Sequence, residues 1–270
     1  MQYAYITLLS TDNYLEGVLV LNESLKLVNS KYKLVVLVTS QVSHSVENTL
    51  NRLGIPTIRK EMNILPSKKL QVQNERVGYN YWNNTFDCLL VFDLIEFDKI
   101  VFLDSDMMVI ENIDELFDKP HMSAVKDPGS DVLNSGTFVA VPEAGLVDKI
   151  LSVLPIVEKE EYYFGDQTVL QYYYKDWPNK KELHLDEKYN AFVGSLHWFI
   201  NSEGYRINGL SKNLCVIHFV GPQKPWMFTD EEIAEKFSGY IKDGNPYAIQ
   251  MTRQYLYLLK QVNDKLNSLL

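Results

Sequence analysis

Apolar residues over the first hundred positions alternate between short β-type runs and helix-period segments, which predicts a parallel α/β sheet. Tyr3 to Leu9 reads as the opening strand. Leu15, Val18, Leu19 and Leu25 then keep helical spacing, with Asn13 and Glu16 placed as a capping box. Leu34-Val35-Val36-Leu37-Val38 is an unbroken aliphatic run of the kind buried on both faces of a sheet. Ser43 is placed to cap a short helix reaching Leu53, and Ile55 to Ile58 resembles a third strand.

Residues 60 to 84 lose this periodicity, and a polar stretch of that length is expected to form a functional flap. Phe86, Leu89, Leu90, Leu94 and Phe97 return to near-helical spacing, predicting a helix that leads into the buried strand Ile100-Val101-Phe102-Leu103. Ser123 to Val125 and Thr137 to Val141 read as strands around the turn Asp127-Pro128-Gly129. From about Asp230 the composition is helical, and Tyr255, Leu259, Val262, Leu266 and Leu269 form a short heptad seam. It is too brief for an independent coiled coil, so packing on the body is expected, while a homodimer stays open. The expected division is an α/β domain over residues 1-228. A C-terminal helical extension, 229-270, follows, packed on the body or at an oligomer interface.

The chain has 270 residues, 46% of them hydrophobic, which is ample for a large core. A formal net charge of -9 removes any general attraction for phosphate backbones or anionic lipid, so neither nucleic acid nor a membrane is expected as a partner. Cys88 and Cys215 stand far apart with no C-x-x-C pair, which fits reduced thiols. With no basic, apolar leader at Met1 and no run of 18 apolar residues, a soluble cytoplasmic protein without membrane insertion is expected.

Candidate chemistry begins at Asp104-Ser105-Asp106, directly after a buried strand. Paired acids at a strand end can hold a divalent cation, and a cation there can receive a diphosphate. His218-Phe219-Val220-Gly221-Pro222-Gln223-Lys224-Pro225-Trp226 follows another apolar run. It combines an imidazole, a glycine that lets backbone approach a ligand, and a lysine that can meet phosphate. Asn134-Ser135-Gly136 offers compact groups for sugar hydroxyls, and Gly165-Asp166-Gln167 opens a helix from Thr168 to Tyr174. There is no G-x-G-x-x-G, no Walker loop and no G-x-S-x-G elbow, so dehydrogenase, P-loop and hydrolase readings lose their support.

In this order, Y-I-T-L-L-S-T-D-N-Y, D-S-D, N-S-G, G-D-Q and H-F-V-G-P-Q-K-P-W resemble glycosyltransferase family 8, particularly its glycogenin-like and galactinol-synthase-like branch. The resemblance implies a GT-A fold, an α/β architecture with a Rossmann-like, mixed but mostly parallel sheet flanked by helices and a helical C-terminal segment. It implies retaining, metal-dependent transfer of glucose or galactose from a UDP-sugar donor. The acceptor is a carbohydrate, polyol or glycoconjugate, and the cation is usually Mn2+, with Mg2+ as the alternative. Carried over residue by residue, Asp104, Asp106 and His218 are metal ligands, with Ser105 between the acids. Leu8, Ser10 and Tyr14 frame uracil and ribose, and Thr11 lies nearby. Gly221 and Lys224 contact the diphosphate, Asn134, Ser135, Gly165, Asp166 and Gln167 surround the donor sugar, and Arg76 resembles a donor-binding arginine. Catalytic roles fall to Asp166, Gln167 and Lys224.

Three positions depart from the family pattern. Cys88 stands where close members carry a lysine, Tyr163 where glycogenins have an acid, and His197 near their self-glucosylated tyrosine, so self-priming there is not expected. A nucleotidyltransferase is disfavoured by the missing Gly-rich loop. A binding or scaffold relative with impaired turnover is the alternative that Cys88 motivates.

Overall fold

The computed structural model describes residues 1–61, 67–76, 83, 85–159, 165–229, 231–233 and 245–268. Its strands are β1 (Tyr3–Leu9), β2 (Leu34–Val38), β3 (Thr57–Arg59), β4 (Lys99–Leu103), β5 (Met107–Val109), β6 (Ala124–Lys126), β7 (Leu133–Ala140), β8 (His184–Leu185), β9 (Ala191–Phe192) and β10 (Val216–His218). The described helices are α1 (Leu15–Leu27), α2 (His44–Arg52), α3 (Lys68–Arg76), α4 (Leu146–Leu151), α5 (Leu154–Val157), α6 (Asp166–Tyr173), α7 (Leu196–Asn201) and α8 (Pro246–Asn267).

Seven strands form the main sheet in the order β3-β2-β1-β4-β7-β6-β8. β1 pairs in parallel with β2 and β4, β2 with β3, and β6 with β8, whereas β7 runs antiparallel to both β4 and β6. One strand therefore opposes six, as expected for a mixed, mostly parallel sheet.

Period-two alternation sorts the strand side chains into two cores. Ala4, Ile6, Val35, Leu37, Ile100 and Phe102 join Leu89, Leu90, Val169 and Leu170 on one face. Tyr5, Leu9, Leu34, Val36, Val101 and Leu103 join Val18, Leu21, Leu25 and Leu50 from α1 and α2 on the other. All five residues of β2 are buried, as a strand covered on both faces requires.

A second sheet, β5-β10-β9, packs with α8 around a third core that contains Met108, Ala191, Ile217 and Phe219 beside Ala248, Met251, Tyr255 and Leu259. α8 starts with Pro246 in its first turn, and the Asn245 side chain accepts from the Ala248 N–H at 3.3 Å. Of the heptad seam, Tyr255, Leu259 and Val262 are buried, Leu266 is half-buried and Leu269 lies outside the described residues. No described helix is long and apolar enough to cross a membrane.

Local expectations hold unevenly. Ser43 caps α2 by accepting from the Val46 N–H at 3.3 Å. The Asn13–Glu16 capping box does not form: a 3-10 turn over Asp12–Tyr14 precedes α1, whose N-cap is Tyr14 without a side-chain cap bond. The aperiodic stretch expected to form a flap contains the nine-residue helix α3; residues 62–66, 77–82 and 84 lie outside the description. The segment after it is a 3-10 helix over Phe86–Asp93, so its apolar residues are buried at a tighter pitch than the α-spacing predicted. The third strand is displaced to Thr57–Arg59.

The chain leaves β1 toward β2 on one side of the sheet and leaves β4 toward β7 on the other. Neighbouring parallel strands whose connections diverge open a crevice at their carboxyl ends, where open α/β sheets bind ligands.

Candidate active site

Leu8 and Ser10 at the end of β1, and Asp104, Ser105 and Asp106 at the end of β4, lie in that crevice. The cleft has a volume of about 480 Å³, within the range of small-molecule sites. Tyr14, Asn134, Ser135, Asp166, Gln167, His218, Gly221 and Lys224 also line it. Among the residues expected at the site, Thr11, Gly165 and Arg76 are not in its lining. Thr11 accepts from the Tyr14 N–H in the turn before α1, Gly165 is the N-cap of α6, and Arg76 is exposed at the end of α3. Tyr163 lies outside the described residues.

Strand pairing explains how distant residues meet. After Asp106 the chain enters β5, which pairs antiparallel with β10 in a register that opposes Met107 and His218. The imidazole is thereby brought beside the D-S-D turn. His218 Nε2 stands 3.1 Å from Asp106 Oδ1 and 3.6 Å from Asp104 Oδ2. These three side chains offer ligand atoms that all lie within 4.8 Å of one another, and two carboxylates with one imidazole suit a divalent ion such as Mn2+ or Mg2+.

Gly136 makes this convergence fit. β7 lies against β4, and the Asp104 N–H donates to the Gly136 carbonyl at 3.0 Å. A methyl group on Gly136 would sit 3.0 Å from Asp104 Oδ2, from His218 Cε1 and from Asn134 Oδ1.

The two acids are driven apart in proton affinity. Burial pushes both carboxyls up; at Asp106 the Lys224 ammonium and then His218 outweigh it and hold the carboxyl well below the usual range. Asp104 is left well above it, by burial first and then by the charges of Asp106 and Asp166. Lys224 Nζ bonds to Asp106 Oδ2 and donates to the Phe219 carbonyl at 3.0 Å, with both side chains of the ion pair buried. Gly221 has φ of 100°, a left-handed backbone that favours glycine, and the space where its side chain would be is open.

Asp166 is the first residue of α6 rather than its N-cap, and its N–H donates to Thr85 Oγ1 at 3.1 Å. Burial raises its carboxyl, opposed by the neutral side chains of Cys88, Thr85 and Ser135. Gln167 Oε1 accepts from the Ser135 N–H at 3.2 Å. The Cys88 thiol also lines the cleft and is pushed well up by burial and by the neighbouring Asp166. It is a neutral group there.

Sequence reading missed Asp127, Thr85 and Asn190 as parts of the site. Asp127 was legible only as a turn residue, yet Asn134 Nδ2 donates to it at 2.8 Å and Gln167 Nε2 at 3.4 Å. Thr85 carried no local signal. Asn190 stands directly before β9, which pairs with β10, and its Oδ1 lies 2.7 Å from His218 Nδ1.

Residues 5–230 match Glycosyl transferase family 8. Human glycogenin-1 is 31% identical over 248 residues, which cover 90% of this chain and 67% of that protein. Human glycogenin-2 is 32% identical over 261 residues, covering 94% and 49%. The chain thus spans between about half and two thirds of the length of these relatives. Among solved structures, galactosyltransferase LgtC in complex with donor and acceptor sugar analogs superposes with a TM-score of 0.60 at 15% identity, covering 96% of this chain and 95% of that one. At that identity the likeness concerns the fold, and it agrees with the GT-A architecture of the sheet. Sequence match and sheet topology converge, and the chain belongs to glycosyltransferase family 8.

Proposed function

We propose that this protein is a retaining, metal-dependent hexosyltransferase. It moves glucose or galactose from a UDP-sugar to a hydroxyl of a carbohydrate, polyol or glycoconjugate acceptor. The observation that carries the reading is a single cleft in which Asp104, Asp106 and His218 converge beside Lys224 and Gly221 and share walls with Asn134, Asp166 and Gln167. Every assigned residue lies within 1–228, the proposed catalytic unit, with 229–270 as its helical extension.

In this reading Leu8, Ser10 and Tyr14 frame uracil and ribose, with Thr11 close by. A Mn2+ or Mg2+ ion held by Asp104, Asp106 and His218 supplies charge neutralisation for the diphosphate. Gly221 leaves room for a phosphate, and Lys224 offers it a fixed positive charge. The bond from the anomeric carbon to the phosphate oxygen breaks with its electron pair on that oxygen, where Lys224 stabilises it. The acceptor hydroxyl attacks from the same face and passes its proton to the departing phosphate oxygen, so configuration is retained. Asp166 and Gln167 hold the sugar, and the Asp166 carboxylate offsets positive charge at the anomeric carbon. A covalent sugar adduct trapped on Asp166 would replace same-face attack with two successive displacements.

The sugar is proposed to be a neutral hexose. On the proposed sugar side, Asp127, Asn134, Ser135, Asp166 and Gln167 supply two carboxylates and none of the five is cationic, while Lys224 lines the same cleft beside Asp106. His197 in place of a tyrosine supports the absence of glycogenin-type self-glucosylation. A hexose mapped to residues 189 to 205 after incubation with UDP-glucose and Mn2+ would reverse that reading.

The test is a UDP-release screen across UDP-sugars with Mn2+, followed by mass spectrometry of products with candidate acceptors. Asp106→Ala should abolish Mn2+-dependent release, and unchanged release would remove the proposed site. Cys88 favours one other reading, a UDP-sugar-binding relative with impaired turnover. Tight Mn2+-UDP binding without release from any donor would select it.

A further inference from the structure

Asn190 is a buried residue, 3% exposed, that touches the metal-ligand cluster through His218 without belonging to it. Its role follows from the polarity of a hydrogen-bond chain whose direction is set by backbone. The Gly136 N–H can only donate, and it donates to Asn134 Oδ1 at 2.9 Å. That atom is therefore the amide oxygen. The other end of the same amide, Nδ2, donates to the Asp127 carboxylate at 2.8 Å, which requires the same orientation.

With Asn134 Oδ1 established as an acceptor, the Asn190 atom 2.7 Å away is its donor, Nδ2. The Asn190 oxygen must then be the atom turned to His218, 2.7 Å from Nδ1. An amide oxygen only accepts, so Nδ1 carries a proton. The Nε2 edge is left to face Asp106 Oδ1 at 3.1 Å and Asp104 Oδ2 at 3.6 Å. Without a metal, a proton on Nε2 can donate to Asp106 Oδ1, and a cation bound among the three would displace that proton and take the Nε2 lone pair.

We propose that Asn190 is a positioning residue: it holds His218 in the tautomer whose Nε2 lone pair ligates the divalent ion, with its own orientation dictated by the Gly136 backbone through Asn134. The inference rests on the metal reading of the site. The same chain runs on through Asp127 to Gln167, so metal ligand and sugar-facing residues share one network. Burial of His218, Asn190 and Asn134 keeps water from substituting for a missing amide.

The test measures Mn2+ affinity of the full chain in the presence of UDP, by the electron paramagnetic resonance of free Mn2+, for the parent, His218→Ala, Asn190→Leu and Asn190→Asp. Asn190→Leu should weaken Mn2+ about 10–100-fold, the usual cost of losing such an outer partner, while metal-free UDP affinity stays unchanged. Asn190→Asp still offers an acceptor to Nδ1–H, so it should keep Mn2+ affinity within about threefold of the parent, since the acceptor rather than the amide carries the effect. It cannot donate to Asn134, so its affinity for UDP-glucose should fall relative to UDP. Nitrogen-15 imidazole spectra of the parent with Mg2+ and UDP should show His218 protonated at Nδ1 and bare at Nε2, a readout that needs no variant to fold.

His218→Ala with parental Mn2+ affinity would sink the metal reading itself. Loss of affinity in His218→Ala, but parental affinity in Asn190→Leu, would overturn only the role of Asn190. Equal loss in Asn190→Asp and Asn190→Leu, or a proton on Nε2 of His218 in the loaded protein, would also overturn it.

Discussion

Lys224→Met probes the charge balance at the centre of the cleft. In the metal-free protein Lys224 is the counter-ion of Asp106, and exposure is 3% for the lysine and 7% for the acid. Methionine keeps most of the side-chain length but removes the charge and the bond to the Phe219 carbonyl. A buried carboxylate that loses its partner costs about 3–5 kcal/mol, because desolvation is no longer offset by attraction. For a chain of this size each kcal/mol moves Tm by about 2–4 °C, so melting in EDTA should fall by about 6–20 °C. Added Mn2+ should then raise Tm more in the variant than in the parent, since the proposed ion restores positive charge beside Asp106. UDP affinity should nonetheless drop. The double variant Asp106→Asn, Lys224→Met removes both charges and should be more stable in EDTA than Lys224→Met alone. Differential scanning calorimetry of the three proteins measures these shifts. If Lys224→Met melts within about 2 °C of the parent in EDTA, below about 1 kcal/mol, the ion pair is not the counterweight described.

Three further outcomes can be checked independently. Gly136→Ala puts a methyl 3.0 Å from Asp104 Oδ2 and His218 Cε1, so calorimetry should show Mn2+-UDP binding weakened at least about tenfold, with about 1–3 kcal/mol of overpacking cost; parental affinity would refute the tight fit. Asp114 accepts from Tyr5 Oη, Ser30 Oγ and the Lys31 N–H; burial raises its carboxyl, but these bonds outweigh it and lower the folded pKa. Its stabilisation is thus complete above the unfolded value of about 3.9 and lost as pH falls through the lower folded one. Asp114→Asn should cost about 1–2 kcal/mol by urea unfolding at pH 7 and progressively less below pH ~4, and a gap that does not shrink would contradict the assignment. Burial and then Asp166 push Cys88 up, and burial pushes Cys215 up to about 12, so both thiols should resist iodoacetamide at pH 8 in the folded protein and react in denaturant. Rapid native alkylation of Cys88, read by peptide mass, would contradict that environment.

Much of the local structure was legible because it depends on neighbours in sequence. The alternation in Tyr3–Leu9, the unbroken run Leu34–Val38 and the Ser43 cap each express a periodicity or a short-range bond. Boundaries were less legible where tertiary packing overrode spacing, as in the 3-10 helix Phe86–Asp93, whose buried faces are set by the sheet above it. The aperiodic stretch hid α3, because a helix with mostly polar residues has little apolar rhythm to read.

For the site, the sequence alone marked candidate residues: paired acids after a strand, an imidazole after another, and the order of motifs that marks family 8. Tertiary structure alone decided how they meet. The β5–β10 register places His218 against the D-S-D turn, and the antiparallel turn of β7 brings Gly136 against Asp104. Asp127 enters through Asn134 and Gln167, and the direction of the Asn134–Asn190–His218 chain depends on one backbone N–H. Side-chain alternation is a local property with a period of two, so it can be read along the chain. Register and hydrogen-bond polarity are set between segments far apart in sequence, by which edges pair and which atoms are left to donate, and no spacing in the sequence records them.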